Sequence, residues 1–160
     1  MTQSSGKPRI QSQIRLASFL PFRLNRLASE VSRRISAIYG DRYGLDIPEW
    51  RVLATLSSRG TATAQAIVAS TRTHKSTISR AVAALTQRGL IEREGSASDG
   101  REIVLRLSDK GDELMREIVP LVLAEERAML NRLPAGQRRE FLSALTRLEV
   151  SLELDEEEPL

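Results

Sequence analysis

The sequence predicts a mainly α-helical protein with one small β-hairpin, and three observations carry that expectation. Hydrophobic residues make up 41% of the chain but aromatics only 4%, which suits a core of aliphatic helices. Apolar side chains recur at three- and four-residue steps through most of its length. One stretch changes period: Leu90-Ile91-Glu92-Arg93 and Ile103-Val104-Leu105-Arg106-Leu107 alternate as strands do, around a loop rich in glycine and serine.

Residues 1–12 are polar and are expected to form a disordered N-terminal arm. From Ile14 to Tyr39 the spacing of Leu16, Phe19, Leu20, Leu24, Leu27, Val31, Ile35 and Ile38 predicts a helix. Pro21 lacks a backbone donor, so it either kinks this helix or marks its true start. Gly40 and Gly44 are expected to end it. Pro48 opens a second helix to about Ser57, with Trp50, Val52, Leu53 and Leu56 apolar. Thr63 is suited to cap a short third helix through Ala69.

Ser70 to Thr73 reads as a turn. A fourth helix over Lys75–Gln87 follows, burying Ile78, Val82 and Leu85 and ending at Gly89. After the hairpin, Ser108 suits the N-cap of a long helix to about Leu130, in which Pro120 predicts a kink. Pro134 opens a last helix to about Leu152, with Phe141, Leu142, Leu145 and Leu148 on one face. Residues 153–160 read as an acidic tail.

Composition excludes several functions. There is no cysteine, so disulfides, thiolate metal sites and cysteine redox chemistry are ruled out. A single histidine rules out a multi-histidine metal centre, and no nucleophile–base pair or Gly-rich phosphate loop can be assembled. No catalytic residue, metal or cofactor is therefore expected. No apolar run is long enough to span a bilayer and no secretory signal is visible, so a cytoplasmic protein without membrane contact is expected.

Net charge is only +3, but it is unevenly distributed. Residues 1–100 hold 15 Lys and Arg against 7 Asp and Glu, whereas 101–160 hold 9 against 14. A basic part joined to an acidic part points to an anionic partner for the first.

The fourth helix fits double-stranded DNA as that partner. A helix enters the major groove only if its outer face carries short side chains and a few donors that reach base edges or phosphates. With Ile78, Val82 and Leu85 inward, this helix and its approach offer Thr73, His74, Lys75, Ser76, Thr77, Ser79 and Arg80, and Thr63 lies at the start of the preceding helix. Arg80 can pair bidentately with guanine. Lys75 and Arg88 suit phosphates, which contribute affinity rather than specificity. In the hairpin loop Arg101 can reach the minor groove, with Asp99 placed to brace its guanidinium and Gly100 permitting the turn.

These residues resemble a known family. Lys75-Ser76-Thr77-Ile78-Ser79-Arg80, Leu85, Arg88-Gly89-Leu90-Ile91, Arg93, Asp99-Gly100-Arg101, Leu107-Ser108 and Lys110-Gly111 look like the signature of MarR-type transcriptional regulators. The resemblance spans about residues 14–152. It implies a winged helix-turn-helix DNA-binding lobe over 47–107 and a helical dimerisation lobe over 13–46 and 108–152. It also implies a homodimer that represses genes and leaves DNA on binding a small anionic or aromatic compound.

The apolar content of 14–38 and 108–152 independently favours a partner, since exposed apolar helix faces are usually covered by one. A two-fold dimer sets two reading helices about 34 Å apart, which fits an inverted-repeat operator. For the effector, Phe22, Arg26, Tyr39, Trp50 and Arg51 combine aromatic walls with cations, a mixture suited to a phenolic acid or its coenzyme A thioester. An activator of the same fold, or a winged helix that binds protein without an effector, remains the alternative.

Overall fold

The computed structural model describes residues 14–95 and 103–154. The expected N-terminal arm, the hairpin tip with Asp99 and Arg101, and residues 155–160 of the acidic tail lie outside that range. The chain divides into two compact units, Met1–Arg33 and Arg34–Leu160.

In the first unit a 3-10 turn, Leu16–Ser18, precedes helix α1 (Leu20–Tyr43), which continues into the second unit. Pro21 is thus the second residue of α1, in the first turn, where a missing N–H leaves no bond unmade. It starts the helix rather than kinking it, and the predicted span from Ile14 is shortened accordingly. Leu20, Leu24, Leu27 and Val31 fall at steps of four, three and four along α1, yet each is between 38% and 54% exposed.

In the second unit α1 runs through Gly40 and stops at Tyr43. Gly44 takes a left-handed φ of 60°, its N–H bonds Gly40 O, and the Leu45 N–H reaches back to Tyr39 O. That paired closure is favoured by a residue without Cβ. Helix α2 (Ile47–Arg59) begins with a capping box: Glu49 N donates to Asp46 Oδ1 at 2.7 Å and Asp46 N to Glu49 Oε2 at 2.9 Å.

Strand β1 (Thr61–Thr63) was not foreseen from sequence, because three residues are too few to show a period of two. Thr63 then caps α3 (Ala64–Thr71) by accepting from Ala66 N. Helix α4 spans Lys75–Gln87, as its spacing predicts. Strands β2 (Ile91–Gly95) and β3 (Ile103–Leu107) form the hairpin, and β1 adds to β3, giving an antiparallel sheet of order β1-β3-β2. Ile91 pairs with Leu107 and Thr63 with Val104.

Helix α5 (Asp109–Leu130) contains Pro120, and α6 (Ala135–Ser151) follows a short turn. The core draws on every helix of the unit except α6: Tyr39, Leu53, Leu56, Ile67, Ile78, Leu85, Leu105 and Ile118 are at most 2% exposed. Burial of these aliphatic side chains at about 1.5–3 kcal/mol each is the main force holding α4 against α2 and the sheet. Helix α6 shows no buried residue, and its predicted apolar face of Phe141, Leu142, Leu145 and Leu148 is exposed.

Candidate nucleic-acid interface

The polarity of α4 is sharply divided. Ile78, Ala81, Val82 and Leu85 are buried, while Lys75, Ser76, Ser79 and Arg80 are exposed and Thr77 is half-buried. The inward stripe repeats at i, i+3, i+4 and i+7, so core packing fixes which side of the helix faces solvent. The exposed side is short-chained apart from Lys75 and Arg80. The Arg80 Nε donates to Ser76 O at 3.4 Å, laying the side chain along its own helix.

His74 is the N-cap of α4. Its Nδ1 accepts from Ser76 N at 3.4 Å and lies 2.9 Å from Ser76 Oγ. An imidazole that accepts at Nδ1 carries its proton on Nε2, so the exposed edge of the ring is a donor. The Thr77 and Ile78 amides bond His74 O at 2.9 and 3.2 Å, so His74 closes the first turn of α4 through both its side chain and its carbonyl.

The turn before α4 is braced from α2. Arg51 Nη1 donates to Thr73 Oγ1 at 2.9 Å, and Thr73 Oγ1 donates to Thr71 O at 3.2 Å. Arg72, at the C-cap of α3, has a left-handed φ of 47°. A residue with a Cβ adopts this geometry at a cost of about 1–2 kcal/mol, and surrounding structure must hold it there. Arg72 is exposed in this turn and adds a cation beside the predicted set. Sequence reading missed it because its backbone angle is not written in its residue type.

One predicted contact is placed differently from expectation. Arg88, assigned to a phosphate, is half-buried against the end of α1: Nη2 donates to Tyr43 O at 2.8 Å, Nη1 to Gly44 O at 3.1 Å, and Nη1 lies 3.6 Å from Glu49 Oε2. The end of α1 leaves carbonyls without helical partners, and a guanidinium fork satisfies them. Thr63, also assigned to DNA, caps α3 as its position predicts, its Oγ1 accepting from Ala66 N.

On the hairpin, Arg106 is paired with Glu92 and with Glu94, whose Oε1 accepts at 2.5 Å. These ion pairs raise the Arg106 pKa above its ordinary value, with the Glu94 hydrogen bond as the leading cause. Glu92 stands directly opposite Arg106 in the ladder. Arg93, on β2, is exposed.

The five residues considered for an effector fall in both units. Phe22 and Arg26 belong to the first, where the Arg26 guanidinium lies 5.7 Å from the Phe22 ring centre. Tyr39, Trp50 and Arg51 belong to the second. Tyr39 and Trp50 are stacked with ring centres 5.0 Å apart, and Tyr39 is buried. Burial pushes the Tyr39 phenol up to about 12, against the opposing field of Arg51. Among the described residues, no cluster of His, Cys, Asp or Glu could hold a metal, and no helix is long and apolar enough to cross a membrane.

A model of the MarR family matches residues 43–102, the part that contains α2, β1, α3, α4 and β2. The HTH-type transcriptional regulator Mb0904 of Mycobacterium bovis is 29% identical over 126 residues, covering 77% of this chain and 85% of its own. Among solved structures, a MarR/EmrR family regulator from Acinetobacter sp. ADP1 superposes with a TM-score of 0.77. It is 23% identical and covers 89% of this chain and 100% of its own. BpsR of Bordetella bronchiseptica, whose DNA binding is regulated by 6-hydroxynicotinic acid, has a TM-score of 0.74 at 18% identity, with 86% and 97% covered.

Proposed function

We propose that the chain is a transcriptional regulator of the MarR family, acting as a homodimeric repressor of an inverted-repeat operator that is released by an aromatic carboxylic acid. The observation that carries the DNA reading is the two-sided burial of α4, with an aliphatic stripe locked into the core and Ser76, Ser79, Lys75 and Arg80 outward. In this reading Arg80 meets a base edge, Ser76, Thr77 and Ser79 approach bases or phosphates, and Thr73, His74 and Lys75 hold the backbone. Arg101, braced by Asp99, enters the adjacent minor groove.

Support for the dimer comes from the uncovered stripes Leu20-Leu24-Leu27-Val31 and Phe141-Leu142-Leu145-Leu148. Covering such faces gains about 25 cal/mol per Å² of apolar surface, which favours association with a second copy. Support for an aromatic acid comes from two sources: the regulation of BpsR by 6-hydroxynicotinic acid, and the aromatic residues Phe22, Tyr39 and Trp50 accompanied by Arg26 and Arg51. A ligand of this kind releases DNA only to the extent that it binds the DNA-incompetent state more tightly.

Footprinting of the purified protein on a duplex selected from a random-sequence library tests the reading. Protection of two symmetric half-sites about one turn apart is expected, relieved by hydroxylated aromatic acids. Selection of no duplex would overturn the DNA assignment, and protection indifferent to every aromatic acid would overturn the effector.

A further inference from the structure

Arg88 occupies the C-cap of α4, the last residue with helical geometry before Gly89 turns the chain at a φ of 68°. Its guanidinium reaches three acceptors on two other elements: Tyr43 O and Gly44 O at the end of α1, and the Glu49 carboxylate in the first turn of α2. Glu49 is 8% exposed and already committed to the Asp46 amide, so Arg88 is the cation that faces a nearly buried charge. Removing one partner of such a pair leaves the other uncompensated.

The backbone carbonyls of Arg88, Gly89 and Leu90 are held by the start of α5. Lys110 Nζ donates to Arg88 O at 2.9 Å, Ser108 Oγ donates to Gly89 O at 2.7 Å, and Ser108 N donates to Leu90 O at 3.1 Å. Helix α5 comes so close here that a Cβ on Gly111 would stand 2.1 Å from Leu90 O. The end of α4 is therefore clamped between α5 on its backbone and α1 and α2 on its side chain. A planar fork with donors on separate nitrogens matches acceptors spread this way, whereas an ammonium presents its donors from a single point.

We propose that Arg88 is a positioning residue that sets the pose of α4 against the end of α1 and touches no phosphate. The proposal rests on the DNA-binding reading above for its functional consequence. A shift in the last turn of α1 is then passed to α4 through the guanidinium.

Arg88→Lys and Arg88→Gln in the full-length protein test it, with Arg80→Ala beside them. Hydrogen exchange of the free protein needs no DNA. Protection of the last turns of α1 and α4 and the first turn of α2 is expected to fall together in both Arg88 variants and to stay unchanged in Arg80→Ala. Affinity for the selected duplex, followed over a salt series, is expected to drop about tenfold or more in both variants with the salt slope unaltered. A phosphate contact would instead lower the slope by about one in Arg88→Gln and be rescued by lysine, and that result overturns the proposal. Unchanged exchange overturns it as well. Should Arg88→Gln fail to fold, Arg88→Lys keeps the charge and decides the matter. If the wild-type protein selects no duplex, the regulator reading fails, and exchange alone judges the clamp.

Discussion

Arg51 on α2 donates a 2.9 Å hydrogen bond to the hydroxyl of Thr73, in the turn that leads into α4. One residue earlier, Trp50 stacks on the buried Tyr39. Neighbouring positions on α2 thus meet the core tyrosine and the reading turn. Arg51→Ala is expected to weaken DNA binding by about 1 kcal/mol, or roughly fivefold, by freeing Thr73. Thr73→Val should reproduce that loss, and the double variant should add little to it. Independent, additive losses in a double-mutant cycle would show that the bond does not act in binding.

Gly111 admits no side chain, since its Cβ would meet Leu90 O at 2.1 Å and both groups are backbone-borne. Gly111→Ala is expected to destabilise the protein by about 1–3 kcal/mol, the range for overpacking. Ser108→Ala, which removes the α5 cap and a donor to Gly89 O, should cost about 1–2 kcal/mol. Denaturant unfolding of both variants checks the pair. A wild-type midpoint in Gly111→Ala would mean that α5 lies farther from the hairpin.

Tyr39 gives a stability signature at high pH. Its phenol is held up to about 12 by burial, whereas an unfolded tyrosine ionises near 10. The folded state therefore keeps a proton that the unfolded state releases. The stabilisation is complete below about pH 10 and is lost as pH rises toward 12, by about 2–3 kcal/mol in total. Tyr39→Phe removes this dependence. Between pH 9 and 11 the denaturant midpoint of the wild-type protein should fall relative to that of Tyr39→Phe, and parallel curves would contradict it.

Leu24 and Leu145 lie on separate uncovered stripes, each more than a third exposed. Leu24→Glu and Leu145→Glu are expected to dissociate the dimer with little loss of secondary structure, because neither side chain supports the core. Sedimentation would then show monomers, and operator affinity would fall to that of one half-site. A dimer that survives both substitutions would place its interface elsewhere.

Arg80 and Lys75 should separate by salt dependence. Arg80→Ala is expected to cost about 1–3 kcal/mol at the base pair it reads and to relax preference there. Lys75→Ala should weaken all duplexes alike and reduce the salt slope by about one. Binding to a panel of single-base operator variants over a salt series distinguishes the two outcomes.

Much of this molecule is written locally. The limits of α4 follow from the spacing of Ile78, Val82 and Leu85, and Gly89 and Ser108 mark the ends of the neighbouring elements by their own turn and cap chemistry. Which side of α4 is polar follows from the same spacing. These features depend on residues within a few positions of one another, so the chain alone determined them, together with the absence of cysteine chemistry and the resemblance to the family. Tertiary structure decided what depends on distant partners. It added β1, whose three residues become a strand only beside β3. It joined Arg51 to Thr73 across 22 positions and laid the half-buried Arg88 onto Tyr43, Gly44 and Glu49. A long cation reads as a surface contact in sequence. Its acceptors here are the unpaired carbonyls at the end of another helix, and those come within reach only once the helices have packed.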